Sequence, residues 1–410
     1  MSEPIRVLHF SDLHVGMESY GRLDPSSGLN RRVVDFLDRL DDVVAYAQEH
    51  EADLVLFSGD AFRTRTPTPT QQREFAQRIQ RLSQAAIPTV LLVGNHDVPV
   101  MSQRASSVEI FDTLAVPHVS VVAQPQLLRL DTRRGPAQIA AVPYPVRQRL
   151  LSREQYRHLS QEELDREVSR ALVSYIDDMA SKLDPSLPAL LLGHFSVDIA
   201  QLGSERGIMV GRDVTVPVSA LANPVWDHVA LGHIHLHQDL NPAGAPHVVY
   251  AGSLERVDFG EQDQAKGFCW IELSRGATSW RYVELPARRF MTLRVDVRNV
   301  PDPEERIKQA LTAADLADAV VRLVIGMTPD QEPTLRDADL LPLLDSAFYV
   351  QINRDVDRAA RDRLDGLDPE SMTPEHLLRR YLLSRGRAED EIEGYLRAAR
   401  ELLAEPEEEV

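Results

Sequence analysis

A single cysteine stands in 410 residues, and that scarcity excludes a good deal. Cys269 alone can close no intrachain disulfide and build no thiolate cluster, so any metal here must be held by nitrogen and oxygen. Long apolar runs are missing too. Nowhere do about 18 uncharged apolar residues stand together, as a membrane-spanning helix requires. The apolar run in the opening MSEPIRVLHFSD is too short for a secretory core, with Asp12 and His14 close behind. A soluble, cytoplasmic chain with no membrane association is the expectation. Positive charge is also short, with 45 Lys and Arg against 63 Asp and Glu and a net charge of -18. Proteins that grip nucleic acid by bulk electrostatics carry a basic surface, so any attraction for a polyanion must be local.

What is present is a chain 43% hydrophobic and 26% charged, able to bury a substantial core. Its length exceeds the roughly 250 to 300 residues at which single cores stop growing, which predicts one large domain with smaller attachments. Between residues 1 and 285, short runs rich in Val, Ile and Leu recur: IRVLHF, ADLVLF, TVLLV, VSVVA, QIAAV, ALLL, DHVAL, HVVYA, FCWIEL and SWRYVEL. These read as buried strands. Helical patterns fall between the early ones. One places Val33, Phe36, Leu37, Leu40, Val43, Val44 and Ala47 on a common face; another opens on a Ser160/Glu163 capping box ahead of Leu164, Val168, Leu172, Tyr175 and Met179. The fold class is therefore α/β, layered sheets flanked by helices. From Arg288 a compact alternation predicts a small α/β domain: FMTLRVDV (strand), DPEERIKQALTAAD (helix), AVVRLVIGM (strand), TLRDADLLPLLDSA (helix) and FYVQINRDV (strand). Beyond Asp355 come two amphipathic helices, broken at Gly386, and an acidic tail, EPEEEV. The expected division is 1–285, 286–356 and 357–410.

Five of the apolar runs end in residues able to bind metal: Asp12 and His14 in VLHFSDLH, Asp60 in LVLFSGD, Asn95 in LLVGNHD, His194 in LLLGHF, and His233 and His235 in VALGHIH. Carboxyl ends of strands form the ligand-binding edge of α/β sheets. Taken singly, each motif has an ordinary alternative: Gly-Asp is a turn, and Asp-x-His a hydrogen-bonded loop. Together they place seven oxygen and nitrogen donors at five strand ends. His9, His118, His158, His228, His237 and His247 lack the pattern and read as structural or surface residues.

The order Asp-x-His, Gly-Asp, Gly-Asn-His-Asp, Gly-His, Gly-His-x-His resembles the calcineurin-like metallophosphoesterase superfamily. Within it, the segment VVYAGSLERVDFGEQDQAKGFCWIEL, the small domain after it and the helical C-terminus resemble the SbcD-type DNA repair nuclease subunits of the meiotic recombination eleven family. The resemblance implies a two-layered β-sandwich flanked by helices, a capping α/β domain that shapes DNA access, and C-terminal helices that dock an SbcC-type ATPase. It implies a cytoplasmic, nucleoid-associated homodimer acting on DNA in double-strand-break repair and recombination as exonuclease and hairpin-opening endonuclease. One metal would take Asp12, His14, Asp60 and His235, and the other Asp60, Asn95, His194 and His233, with Asp60 bridging and manganese as the metal. Two such ions sit about 3.5 to 4 Å apart, and a shared carboxylate screens their repulsion.

Asn95 as a ligand leaves His96 for the substrate. In the expected chemistry a hydroxide attacks phosphorus in line while His96, as imidazolium, gives a proton to the departing sugar oxygen. Asp97 either orients His96 or caps the loop. The resemblance departs at Arg63, where archaeal relatives carry His and protein phosphatases Asp; this disfavours a protein phosphatase. Arg63 and Arg65 are candidates to clamp backbone phosphates, with a solvated loop as the alternative. A second basic candidate is the run with Arg147, Arg149, Arg153 and Arg157. The rival readings are a small-molecule or cyclic-nucleotide phosphodiesterase and a non-catalytic metal-dependent scaffold.

Overall fold

The computed structural model describes residues 3–25, 27–99, 104–146, 159–203, 214–357, 374–384, 387 and 389–404. The basic run Arg147 to Arg157, His158, Gly386 and the EPEEEV tail lie outside the described residues.

Two six-stranded sheets dominate. The first contains β1 (Ile5–Phe10), β2 (Leu54–Phe57), β3 (Thr89–Leu92), β4 (Val119–Val122), β13 (Gly267–Leu273) and β14 (Ser279–Glu284), in the order β14-β13-β1-β2-β3-β4. Its strands β1 to β4 run parallel, and β13 and β14 add antiparallel at one side. The second contains β5 (Gln126–Thr132), β6 (Gly135–Val142), β7 (Ala189–His194), β10 (His228–Gly232), β11 (Gln238–Asp239) and β12 (Val248–Tyr250), in the order β11-β12-β10-β7-β6-β5. There β6, β7, β10 and β12 are parallel. A two-stranded ribbon pairs β8 (Ser196–Val197) with β9 (Thr215–Val216).

Alternating side chains explain the layering. Val7, Leu54, Leu56, Val90 and Leu92 from the first sheet share a core with Ile139, Ala141, Leu190, Leu192 and Ala230 from the second. Their neighbours Leu8, Phe10, Val55, Phe57 and Leu91 point the other way, onto helices α1 (Arg31–Glu49) and α2 (Pro69–Gln84). The second sheet turns Ala140, Leu191, Val229 and Leu231 toward helix α4 (Gln161–Ser181), which comes after the single turn α3 (Ile110–Thr113). A sheet covered on both faces needs strands apolar at nearly every position, which is what LVLF, TVLL and ALLLGH provide. The sheets thus stack face to face with helices outside.

Helix α1 buries every residue of its predicted face and is capped by Asn30, whose side chain accepts from the Arg32 amide. Helix α4 carries the Ser160/Glu163 capping box in full. One residue of its expected face is displaced: Tyr175 is 43% exposed, and Ile176 is buried instead. Strand β5 was not expected from the sequence, because it lies at the sheet edge with charged Arg129 and Asp131 among its apolar residues.

By its internal packing the chain divides into two compact units, residues 1–293 with 314–323 and 343–351, and residues 294–313 with 324–342 and 352–410. The first unit contains both large sheets. A three-stranded sheet, ordered β15 (Phe290–Asp296), β16 (Val320–Met327), β17 (Tyr349–Val356), has strands through which this division passes. In the chain between them lie α6 (Pro303–Ala313) and α7 (Asp337–Leu340), which come after the short α5 (Val218–Leu221) in sequence. The helix expected over TLRDADLLPLLDSA is shorter than its pattern suggests: α7 gives way to a 3-10 turn over Leu341–Leu344, where Pro342 lacks the amide an α-helix needs. In the second unit, α8 (Pro374–Ser384) and α9 (Glu389–Ala404) pair, with Ile392 and Leu396 buried and Arg379 bridging to Glu393 at 3.1 Å. Among the described residues no helix is long and apolar enough to cross a membrane.

Candidate metal centre

The five strand ends meet. Strands β1, β2 and β3 are adjacent and parallel, as are β7 and β10, so each sheet delivers its polar termini along one edge. The turn into the site is steep: Asp12, His14, Asp60 and His233 all adopt positive φ, at 51°, 49°, 63° and 99°. Left-handed backbone at four non-glycine residues costs about 1–3 kcal/mol each and persists only where the surroundings enforce it. Two glycines make the approach possible. Gly59 sits at φ 99°, and a methyl group on Gly94 would collide with the Asp60 amide and carboxylate.

The side chains gather around Asp60 in overlapping sets: Asp12 and His194 bring donor atoms within 4.8 Å of its carboxylate and of one another, as do His14 and His96, and the motif residues divide between two groups. In the first, Asp12, His14 and His235 bring their donor atoms within 4.8 Å of one another, and His14 Nε2 lies 2.9 Å from His235 Nε2. In the second, Asn95 Oδ1 lies 2.9 Å from His194 Nε2 and 3.0 Å from His233 Nδ1. Asp60 reaches both, Oδ2 standing 3.8 Å from His14 Nε2 and Oδ1 3.6 Å from His194 Nε2. All seven residues named from the motifs are thereby brought together.

This donor set fits cations better than it satisfies itself. His194 gives its Nδ1 proton to the Ser58 carbonyl at 2.6 Å, so the neutral ring turns a lone pair toward the Asn95 oxygen, two acceptors in contact. His14 Nδ1 is buried without a hydrogen-bond partner among the described residues. Burial drives the titrations in the same sense. It pushes Asp60 well above the carboxylate range, with the negative charges of Asp97 and Asp12 adding to the effect, and it raises Asp12. It pushes His14 and His194 well below the usual imidazole value. Buried carboxylates beside buried imidazoles are costly unless paired or coordinating metal. Cys269 lies buried within β13 and takes no part.

His96 follows Asn95 at the end of β3 and is half-buried. Its ring stands edge-on to His14 at 4.9 Å, its amide donates to Asp60 Oδ1 at 2.8 Å, and its Nδ1 donates to the Arg63 carbonyl at 2.8 Å. Burial lowers its pKa to about 4, opposed by the hydrogen bond to the Arg63 carbonyl and reinforced by the positive charge of the Arg63 side chain. The exposed Arg65 places Nε 3.5 Å from the Asn95 carbonyl.

Asp97 sits where the loop-capping alternative puts it, not on the His96 ring. Its carboxylate accepts from the amides of Asp60 at 2.9 Å, Gly94 at 3.1 Å and Ala61 at 3.2 Å, and from the Ser107 hydroxyl at 2.9 Å. It ties the β2 and β3 termini together. Asp97→Ala strips buried amides of their acceptor, and at about 1–3 kcal/mol per orphaned group we expect a loss of about 2–4 kcal/mol in urea unfolding of the metal-free protein. An unchanged midpoint would contradict that bracing role.

Two further residues touch the site without having been expected from the sequence. Glu261 accepts from His235 Nδ1 at 2.8 Å, and Lys266 pairs with the other Glu261 oxygen at 2.9 Å; both are buried. Burial alone would raise the Glu261 carboxyl, but the charges of Lys266 and His235 outweigh it and hold the group far below the carboxylate range. A Glu and a Lys close together within DFGEQDQAKGF are the signal that was available.

Residues 5–237 match the calcineurin-like phosphoesterase family. Among curated proteins, the chain is 29% identical over 283 residues to the D subunit of nuclease SbcCD from Escherichia coli K12, an alignment covering 66% of each protein. It is 27% identical over 295 residues to the D subunit of nuclease SbcCD from Bacillus subtilis, covering 68% of this chain and 70% of that protein. It is 26% identical over 357 residues to the DNA double-strand break repair protein Mre11 of Haloferax volcanii, covering 86% of this chain and 68% of that one. The match to the Escherichia coli protein thus spans just under two thirds of its length.

Proposed function

The chain belongs to the calcineurin-like phosphoesterase family, and from that premise we propose that it is a two-metal-dependent DNA nuclease, with exonuclease and hairpin-opening endonuclease activity in double-strand-break repair. The observation that carries this reading is the position of Asp60, one carboxylate facing two donor sets drawn from five strand ends. The similarity to the D subunit of SbcCD and to Mre11 supports DNA as the substrate.

In this reading one divalent ion is held by Asp12, His14, Asp60 and His235 and the other by Asp60, Asn95, His194 and His233. Mixed imidazole and carboxylate donors are compatible with manganese, iron or zinc, and it is the resemblance to the SbcD-type nucleases that favours manganese among them. Bound there, such ions supply Lewis acidity toward a phosphoryl oxygen and acidify bound water. His96 manages the leaving group. Its Nδ1 bond to the Arg63 carbonyl fixes the ring and leaves Nε2 to take and give a proton. Burial keeps the ring neutral, and the negative charge of a seated phosphodiester raises its proton affinity, so His96 gains a proton as substrate arrives and yields it to the departing sugar oxygen. Arg63 and Arg65 draw the phosphate backbone toward an otherwise acidic protein.

Residues 286–356 serve as the cap that shapes DNA access, residues 357–410 dock an SbcC-type ATPase, and the active form is a homodimer in the cytoplasm at the nucleoid. Exposed Tyr381, Leu383 and Tyr395 on α8 and α9 support a helix-mediated contact. Deleting residues 374–410 is expected to leave manganese-dependent hydrolysis of a small phosphodiester intact while abolishing capture of the ATPase in a pull-down. Undiminished association would refute the docking role. The function itself is tested by incubating the purified protein with Mn²⁺, a labelled DNA duplex and bis-p-nitrophenyl phosphate. Cleavage of both is expected. Cleavage of the ester alone points to a small-molecule phosphodiesterase, and cleavage of neither to a scaffold.

A further inference from the structure

Three of the imidazoles flanking Asp60, those of His194, His14 and His235, differ in what stands behind them. His194 rests on a neutral carbonyl, that of Ser58, and His14 Nδ1 has no hydrogen-bond partner among the described residues. His235 rests on a carboxylate, with Nδ1 2.8 Å from Glu261 Oε1. The carboxylate is itself anchored: Glu261 Oε2 lies 2.9 Å from Lys266 Nζ and accepts from the Val257 amide at 2.9 Å. Lys266 also donates to the backbone carbonyl of His235 at 3.2 Å and to Ser253 Oγ at 2.8 Å, and the Ser253 amide donates to that same His235 carbonyl at 3.1 Å. Both ends of His235 are thus gripped from one stretch, residues 253–266, between β12 and β13. The sets differ in formal charge as well, since Asp12 belongs to the first where the neutral Asn95 belongs to the second.

A carboxylate behind a ligating imidazole fixes its tautomer and orientation and makes its far nitrogen a stronger donor; removing such a partner commonly costs about 10–100-fold in metal affinity. Burying the Glu261–Lys266 pair inside the protein is expensive, and replacing such a pair by apolar residues is often neutral or stabilising. We propose that Glu261, held in place by Lys266, is a positioning residue for His235, and that it makes the Asp12–His14–His235 side of the centre the tighter site, filled before the Asn95–His194–His233 side. This rests on the two-metal reading above.

The test is a titration of the metal-free full-length protein with Mn²⁺, reading free ion by its EPR signal. Wild type is expected to take up two ions in two resolved steps, and His194→Ala to lose the weaker one. In Glu261→Gln, whose amide oxygen can still accept from Nδ1, the tighter step is expected to weaken about 10–100-fold while the other stays in place. The double variant Glu261→Gln/Lys266→Met removes both buried charges. It is expected to regain the metal-free melting temperature without regaining the tight step, which separates donor strength from folding. Equal steps in wild type, an unmoved tight step in Glu261→Gln, or its recovery in the double variant would each overturn the inference and leave the two-metal reading standing. No uptake by wild type would overturn both.

Discussion

His96→Ala is expected to retain both metal ions and to lose DNA cleavage by about 10²–10⁴-fold, the usual contribution of a positioned proton donor. Geometry separates the two effects. His96 reaches the centre from the same turn as Asn95, yet its Nδ1 is committed to the Arg63 carbonyl and its ring stands edge-on to His14. Removing it takes away none of the seven side chains proposed to hold metal. The loss should depend on the leaving group. A nitrophenolate departs without a proton, so hydrolysis of bis-p-nitrophenyl phosphate should fall far less than that of DNA. Equal losses on both substrates would assign His96 to something other than the departing oxygen, and wild-type turnover would remove it from the mechanism.

Asp60→Asn is expected to be more damaging still. Asp60 is buried, its two oxygens face different donor sets, and Oδ1 also accepts the His96 amide. An amide keeps the shape and one acceptor oxygen but removes the negative charge that two adjacent cations need between them. Metal ions provide several kcal/mol of transition-state stabilisation, and each 1.36 kcal/mol is tenfold in rate. A fall of about 10³-fold or more on both substrates is therefore predicted, together with fewer than two manganese ions bound per chain. Retention of two ions at wild-type affinity would show that Asp60 does not bridge.

Much of this centre was legible in the sequence because strand ends advertise themselves. An apolar run of four to six residues that stops and then offers Asp, Asn or His is an ordinary turn when it happens once, but five such ends in one chain point to a shared ligand. Parallel pairing of β1, β2 and β3, and of β7 and β10, then does the gathering. Helix α1 was legible for a similar reason, its apolar spacing being uninterrupted. What escaped was set by tertiary contact. For Asp97 the sequence left orienting His96 and capping the loop both open, and only the fold decides between them by showing its carboxylate spent on backbone amides of the neighbouring strand end. Glu261 lies 26 residues from His235, and its nearness to Lys266 in the sequence hints at a buried pair without naming the imidazole it backs. Strand β5 is an edge strand whose alternation is blurred by charge, and α7 ends early because Pro342 interrupts an otherwise helical spacing.

The most direct measurement is anomalous scattering from crystals of the full-length protein grown with manganese. Two peaks about 3.5 to 4 Å apart, one on each side of the Asp60 carboxylate and each within bonding distance of its own imidazoles, are the predicted result. A single peak, or manganese bound anywhere but between these strand ends, would contradict the two-metal centre at its root.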